Sequence, residues 1–299
     1  MGLARDLVGN RARVEQIQQE VEKRGWDNNP TLLAALAAAL AELGDLDQAV
    51  TTYDRAIRSC RGGAPIRAIE QCANLSARAA VLKFKSDGRT ASARAVAVAA
   101  INEARESVEV LAKLVGDTSE RWSLRGSCWK RLAQVEQGQK RDDALQRMSE
   151  CNAQAMSLAS KNDRFYPELQ WAAAGIARKR LHGGALPAKL RSAVEEIAKM
   201  SGDQNDFWRD IAGTDARVLS AVLQGGFSRE TEVELLDRYR DAWKFGGSPL
   251  KLMSVLDQFT FFEDVLAGAP VAATPLAEVL VRMRSTLESD LRSSMRNAP

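Results

Sequence analysis

Apolar residues recur at spacings of three and four along nearly the whole chain, which is the period of an amphipathic α-helix. Prolines and glycine-containing breaks divide this pattern into segments of about 12–25 residues, a length typical of helices. No segment alternates apolar and polar residues as a half-buried strand would. The pattern therefore predicts an all-α protein, with helices near residues 5–25, 30–43, 46–61, 65–86, 90–115, 118–137, 140–160, 166–182, 187–200, 204–224, 229–245, 249–267 and 275–296.

Prolines mark where several of these helices begin. Proline suits the first helical turn, because the N–H that it lacks would have no partner there. Asn29, Ser248 and Thr274 stand immediately before three of the prolines. Their short polar side chains can accept hydrogen bonds from the first free N–H groups of a helix. Since the connections are short, we expect successive helices to pack as antiparallel neighbours.

Residues 30–61 carry the most specific motif in the chain. Large and small apolar residues recur on two helices that a Gly-Asp turn joins. Ala37 on the first helix and Ala49 on the second would let the two backbones approach closely, while Tyr53 fills the space beside them. This arrangement resembles a tetratricopeptide repeat, which implies a stack of antiparallel helix pairs.

A second, degenerate copy begins at Trp122. Trp122, Gly126 and Trp129 have the spacing of the large, small and aromatic positions in a first repeat helix. Arg125 stands where leucine is usual, so it should face the core, and we expect an internal ion pair rather than a ligand to satisfy it. Because about three repeats are needed to bury a continuous core, flanking helices must complete the stack.

A wider resemblance rests on four segments, residues 120–133, 166–171, 206–208 and 254–258. They resemble the tetratricopeptide-containing region of bacterial effector and signalling proteins that carry caspase-like (CHAT) peptidase domains. That region is similar to the TRAF-binding helical segment of apoptosis signal-regulating kinases. The resemblance covers roughly residues 30–268. It implies a regulatory or docking module whose partner is a protein or peptide, such as a caspase-like or other effector domain.

Together these features predict a right-handed helical solenoid of tetratricopeptide-like helix pairs with a less regular C-terminal half. We divide it into an N-terminal helix at residues 1–29, repeat-like pairs at residues 30–161 and a C-terminal helical region at residues 162–299, packed on the same solenoid. The helix that starts at Pro275 has an apolar face, which either caps the stack or pairs with a second copy of the chain.

Most of the aromatic residues lie in the second half of the chain. Aromatic residues at helical spacing usually belong to the core. Phe259 and Phe262 can share one helix face, whereas Phe261 points well away from Phe259. At least one of these three phenylalanines is therefore a candidate for a groove or subunit contact, although we favour core positions for them.

The first helices of the repeats line the concave groove in tetratricopeptide proteins, so their groove-facing positions are candidate binding residues. In the second repeat these positions are polar, and they could hydrogen-bond a peptide or pair with its acidic side chains. They could equally form a solvated face or be covered by later helices of the chain. The candidate partner-binding residues are Thr31, Ala34, Ala38, Ser123, Ser127, Lys130 and Arg131.

A basic cluster surrounds the break at Gly183 and Gly184. A nucleic-acid phosphate or another acidic partner would suit such a cluster, but cations at a helix C-terminus also interact favourably with the helix dipole. We favour the helix-dipole interpretation and keep a nucleic-acid or nucleotide sensor as an alternative function. The candidate anion-binding residues are Arg178, Lys179, Arg180, Lys189 and Arg191.

Composition narrows the class of protein further. The net charge is +3, from 42 basic and 39 acidic residues, which gives no strong electrostatic reason to expect nucleic acid. The N-terminus has no apolar signal-peptide core, and no apolar run is long enough to span a bilayer. Four cysteines lack short metal-type spacing. We therefore expect free thiols in a cytoplasmic protein that makes no membrane contact.

Catalytic chemistry has little support in the sequence. His182 is the only histidine, and it is far in sequence from any serine or cysteine with a nucleophile signature. No Gly-rich phosphate loop, metal-ligand cluster or dinucleotide fingerprint occurs. We therefore predict a non-catalytic interaction scaffold without cofactor or metal, and we keep a self-assembling structural homo-oligomer as a further alternative.

Overall fold

The computed structural model describes residues 7–59, 63–183, 187–200, 206–244, 246–267 and 274–296. All regular structure in these ranges is helical, which confirms the all-α prediction. The helices are α1 (Leu7–Lys23), α2 (Pro30–Glu42), α3 (Leu46–Arg58), α4 (Ile66–Ser86), α5 (Ala91–Val115), α6 (Ser119–Val135), α7 (Gly138–Leu158), α8 (Phe165–His182), α9 (Ala188–Ala198), α10 (Phe207–Gln224), α11 (Arg229–Lys244), α12 (Pro249–Leu266) and α13 (Thr274–Arg296).

Two of the expected capping residues begin their helices as the sequence indicates. The Asn29 side chain accepts a hydrogen bond from the Leu32 backbone N–H at 3.0 Å. At the start of α12, the Ser248 hydroxyl accepts one from the Lys251 N–H at 3.2 Å. Thr274 is the first residue of α13, and its side chain lies outside the described part of the chain. Local sequence therefore determines where these helices start.

Neighbouring helices pack in pairs, as in a helical solenoid, with α2 on α3, α4 on α5 and α6 on α7. Ala37 and Ala49 are fully buried where α2 meets α3, and Tyr53 is buried beside them. In the second predicted repeat, a Cβ at Gly126 would lie 2.6 Å from Nδ2 of Asn152 on α7. The small positions of the repeat pattern are thus the places where helices approach most closely.

Arg125 is partly buried on α6, where it lines an open recess. Its Nη2 is 3.0 Å from Oδ1 of Asp117, and its guanidinium lies 4.3 Å from the centroid of the Trp122 ring. The expected ion pair is present, but it lies at the surface rather than inside the fold, because the Asp117 side chain is 45 % exposed. Stacking on an aromatic ring adds a second favourable contact for the cation.

One large hydrophobic core extends from α4 to α13 and contains residues on both sides of position 161. The final helix belongs to this core. Its apolar face, formed by Leu276, Leu280, Met283, Leu287 and Leu291, is buried against the rest of the chain. Of the two alternatives for α13, the structure shows the one in which the helix caps the stack.

Helix α12 crosses back over the repeat helices and contacts α2, α6 and α8. Phe261 is fully buried in the chain's own core and packs edge-to-face on Phe262. Phe259 and Phe262 are fully buried as well, so the favoured core positions are confirmed and the alternative of a groove or subunit contact is wrong for all three. The reason is that α12 is surrounded on several sides, so more than one of its faces is apolar.

Two carboxylates on α12, the buried Asp264 and the partly buried Asp257, hold the helix in position. Asp264 is 2.5 Å from Nζ of Lys85 and 2.9 Å from Nη2 of Arg89, at the end of α4 and in the following turn. Asp257 pairs with two cations on α6. None of the described helices combines the length and apolarity that crossing a bilayer would require.

Candidate functional site in the cleft beneath helix α12

A cleft of about 720 Å³ lies where α12 crosses the repeat helices. Residues of α4, α6, α8, α10 and α12 form its walls. Helix α6 contributes Ser123, Ser127, Lys130 and Arg131, which are the four candidate groove residues of the second repeat. The structure therefore brings these four residues together around one recess.

Lys130 and Arg131 are only 4 % and 3 % exposed, because Asp257 of α12 pairs with both. Nζ of Lys130 is 2.9 Å from Oδ2 of Asp257, and Nη1 of Arg131 contacts Oδ1 of the same carboxylate. Burial opposes ionisation of Asp257, but the positive charges of Arg131, Lys130 and Arg78 outweigh it and hold the pKa of Asp257 well below its usual range. The two cations thus join α6 to α12.

Arg78 approaches the same carboxylate from α4. Its Nη1 donates a hydrogen bond to the Ser254 hydroxyl at 3.2 Å. Burial and the neighbouring Arg131 lower the pKa of Arg78. Among the described residues, Nε of Arg78 and Nε2 of Gln258 are buried without a hydrogen-bond partner. The floor of the cleft therefore contains three cations around Asp257 and two donors that the protein itself leaves unused.

Asp215 adds a second buried carboxyl to the cleft wall, from α10. The Tyr239 hydroxyl donates to Oδ1 of Asp215 at 2.5 Å. Burial raises the pKa of Asp215 to about 7, although the Tyr239 hydrogen bond and the charge of Lys130 act in the opposite direction. Near neutral pH this carboxyl is therefore only partly ionised.

Two aromatic side chains flank the cleft, and each is nearly half exposed. Tyr166 is 45 % exposed and Trp208 is 44 % exposed. The exposed part of Tyr166 is not its hydroxyl, which forms a hydrogen bond with Ser127 and whose burial raises the pKa of Tyr166. Two exposed carboxylates, Glu120 and Asp163, also lie along the cleft. The accessible side of the recess is thus aromatic and polar.

The candidate residues of the first repeat lie elsewhere. Thr31 and Ala38 are exposed on α2, and Ala34 is half-buried against the small core of the first helix pair. None of the three lines the cleft. The structure therefore does not bring them together with the α6 residues in this recess.

The two arginines at the centre of the basic cluster bind groups within the fold. Nε of Arg178 donates to Asp142 at 3.1 Å, and His182 contacts the same carboxylate at 2.9 Å. Burial raises the pKa of Asp142, but Arg178 and His182 outweigh this effect and lower it overall. Arg180 donates to the carbonyls of Val222 and Leu223 at 2.7 and 2.8 Å, at the C-terminus of α10.

The other members of the cluster are more accessible. Lys179 is half-buried on α8, while Lys189 and Arg191 are exposed on α9. Gly184, the second glycine of the break, lies outside the described residues. Within the ranges that the structure describes, no group of three or more His, Cys, Asp or Glu side chains is placed to hold a metal ion.

Sequence reasoning did not assign a role to Arg78, Asp215, Asp257 or Gln258. The sequence contained one signal for the pairing of Asp257. This acid interrupts a strongly apolar helix, and an acid buried there requires a cation. Lys130 and Arg131 are the adjacent cations on α6, but the sequence does not show which helices meet. The pairing depends on the contact between α12 and α6.

Comparison with known proteins agrees with the repeat assignment. A family model described as Tetratricopeptide Repeats-Sensor matches residues 45–174, from the start of α3 into α8. The match includes the α6 wall of the cleft and Tyr166. No curated protein matched the chain. The protein is therefore tetratricopeptide-like, with repeats of a type that generally mediates protein–protein interaction and is typically non-catalytic.

Proposed function

We propose that the protein is a non-catalytic docking module that binds a polypeptide partner at the cleft beneath α12. The observation that carries this proposal is the pair Tyr166 and Trp208, which stay nearly half exposed beside a recess. Large aromatic side chains that flank a pocket are typical binding hot spots, because they bury much area while few rotatable bonds are frozen.

Ser123 and Ser127 are half-buried on the α6 wall, where their hydroxyls can hydrogen-bond a peptide backbone. Lys130 and Arg131 have a supporting role in this proposal, because their charges are directed at Asp257. The exposed residues Thr31 and Ala38 on α2 would provide a separate contact for a longer partner.

The wider resemblance suggests the kind of partner. All four of its segments line the cleft, and residues 206–208 and 254–258 contribute Trp208, Asp257 and Gln258 to it. This overlap supports a role in which the module docks or restrains a caspase-like or other effector domain. The proposal places the protein in the reducing cytoplasm, where Cys72, Cys128 and Cys151 remain thiols.

The test compares two alanine variants in partner binding. Partners captured from a lysate of the native source are identified by mass spectrometry, and their affinity is then measured by calorimetry. The Tyr166→Ala/Trp208→Ala variant should bind at least about tenfold more weakly, because truncating a hot-spot residue commonly costs about 2 kcal/mol or more. Trp26→Ala is the matched control, since Trp26 is 49 % exposed at a site away from the cleft.

An unchanged affinity in a double variant that remains folded would exclude the cleft as the docking site. Charge reversal at Lys130 and Arg131 would be a poorer test. It would leave the partly buried Asp257 without its partners, and breaking a buried ion pair costs about 3–5 kcal/mol. Loss of binding in that variant would therefore report loss of the fold.

A further inference from the structure

We propose that the floor of the cleft binds a small organic phosphate, with Arg78, Lys130 and Arg131 as the cations that receive its phosphate group. This inference goes beyond the docking role, since it concerns a diffusible ligand and the interior of the cleft. All three cations line the recess, Arg78 from α4 and the other two from α6. The charge balance, the unused donors and the shape of the cleft support it separately.

The charge balance is the first observation. Asp257 is the carboxylate that pairs with Lys130 and Arg131, while the hydrogen-bond partner of the Arg78 guanidinium is the neutral hydroxyl of Ser254. Three cations therefore surround one fully ionised carboxylate. Burying an excess of charge is unfavourable unless a counter-charge joins it. The site lacks between one and two negative charges, depending on the protonation of Asp215.

Asp215 is the other carboxyl within the recess. It accepts a hydrogen bond from Tyr239, and its pKa of about 7 leaves it only partly charged near neutral pH. Glu120 and Asp163 are exposed, so water and salt screen their charges. A phosphate monoester carries about −1.5 to −2 charges at pH 7, which matches the deficit more closely than a single carboxylate does.

The unused donors are the second observation. In the described part of the chain, Nε of Arg78 and Nε2 of Gln258 are buried and have no acceptor. Gln258 is only 2 % exposed, and its Oε1 lies 3.5 Å from Nζ of Lys130. Buried donors without acceptors are rare in native structures. A phosphate offers three acceptor oxygens, and the planar guanidinium fork suits phosphate geometry.

The size and lining of the cleft are the third observation. Its volume of about 720 Å³ lies within the range of small-molecule sites and far exceeds what one phosphate ion would fill. Tyr166, Trp208 and Phe165 supply aromatic surface for the remainder of the ligand, and Ile211 adds apolar surface. This lining favours an organic phosphate with a planar or apolar group over inorganic phosphate.

The experiment uses the purified chain without a polypeptide partner, so it can fail independently of the docking proposal. Phenyl phosphate is titrated by calorimetry at constant ionic strength, beside inorganic phosphate, benzoate and a phosphoserine peptide. We expect saturable binding of phenyl phosphate, with inorganic phosphate and benzoate each at least about tenfold weaker. Phenyl phosphate should also raise the unfolding temperature, because it binds only the folded state.

Arg78→Gln should weaken phenyl phosphate binding by about tenfold or more, since a hydrogen bond to a charged group is lost. Arg217→Gln is the matched control, because Arg217 is also half-buried, also has a buried Nε without a partner among the described residues, and lies outside the cleft. A second variant, Ser123→Glu, adds a negative charge to the cleft wall and should weaken binding without removing any packed side chain.

Three results would overturn the proposal. The first is no saturable binding of either phosphate probe. The second is equal affinity in the parent, Arg78→Gln and Ser123→Glu proteins. The third is tighter binding of benzoate than of phenyl phosphate, or binding of the phosphoserine peptide alone, since either would assign the cations to a different class of ligand.

Discussion

Asp257 shows how much of the cleft depends on a single side chain. It faces Lys130, Arg131 and Arg78, so one carboxylate connects three helices through charge. Ion pairs of this kind stabilise a fold only when both partners remain, because an unpaired buried charge is strongly unfavourable. The same carboxylate keeps the cations in place for any anion that enters the cleft.

Sequence reasoning identified half of this arrangement. It grouped Ser123, Ser127, Lys130 and Arg131 on one helix face, because the spacing of residues along a single helix is enough to show which of them share a face. Their burial depends on α12, which follows more than a hundred positions later in the chain. The sequence left open whether a later helix covers the groove, and the structure shows that α12 does so in part.

Asp215 provides a residue-scale prediction about pH. The unfolded carboxyl titrates near pH 3.9, whereas the folded carboxyl titrates at about 7. Between these values the folded state binds more protons, so stability falls as the pH rises through that window, by at most about 4 kcal/mol. Asp215→Asn should remove this fall and be more stable than the parent at about pH 8. Urea unfolding at several pH values measures the difference.

Tyr239→Phe tests the same carboxyl from the other side of its hydrogen bond. The Tyr239 hydroxyl lowers the pKa of Asp215, so its removal should extend the pH window of declining stability upwards. Lys130 and Asp257 also influence this carboxyl and are unchanged in both variants. If the stability of Asp215→Asn depended on pH in the same way as that of the parent, the claim that burial raises the pKa of Asp215 would be wrong.

At the scale of the helices, local sequence signals determine most of the helix boundaries. The helix expected at residues 118–137 is Ser119–Val135, and the one expected at 249–267 is Pro249–Leu266. Proline, glycine and capping side chains act within one turn, so a sequence displays them directly. The course of α12 and the burial of Phe261 depend on distant helices, which is why periodicity left open a groove or subunit contact for one phenylalanine of this helix.

Gly126 supports a prediction at this scale. A Cβ at this position would lie 2.6 Å from the Asn152 amide, whose Nδ2 donates to the Met148 carbonyl at 2.8 Å. Gly126→Ala should destabilise the protein by about 1–2 kcal/mol, because the displaced amide loses its hydrogen bond while the helix gains only about 1 kcal/mol of propensity. Urea unfolding measures the change.

The matched background for this test is Asn152→Ala, which removes the obstructing amide. In that background Gly126→Ala should be neutral or stabilising, because only the helix propensity remains. A double-mutant cycle gives the interaction free energy between the two sites. Equal effects of Gly126→Ala in both backgrounds would show that close packing of α6 on α7 does not explain the glycine.

At the scale of the whole molecule, the late helices complete a core that the repeats alone leave open. The family match ends at residue 174, but the large core continues to α13. Fewer than about three repeats cannot bury a continuous core, so the remaining helices have to supply the missing surface. Helix α12 covers part of the inner face, and α13 covers α11 and α12.

Substitutions at two adjacent residues of α13 distinguish a helix that caps the stack from one that joins two copies of the chain. Leu280 is fully buried in the core, whereas its neighbour Val281 is 42 % exposed. Leu280→Asp should destabilise the fold by more than about 3 kcal/mol, since it removes a packed side chain and buries an unpaired charge. Val281→Asp should leave both the unfolding free energy and the mass in solution unchanged. Urea unfolding and light scattering at several concentrations measure these quantities. If the mass of the parent rose with concentration and Val281→Asp abolished that rise, α13 would be a subunit contact as well as a cap.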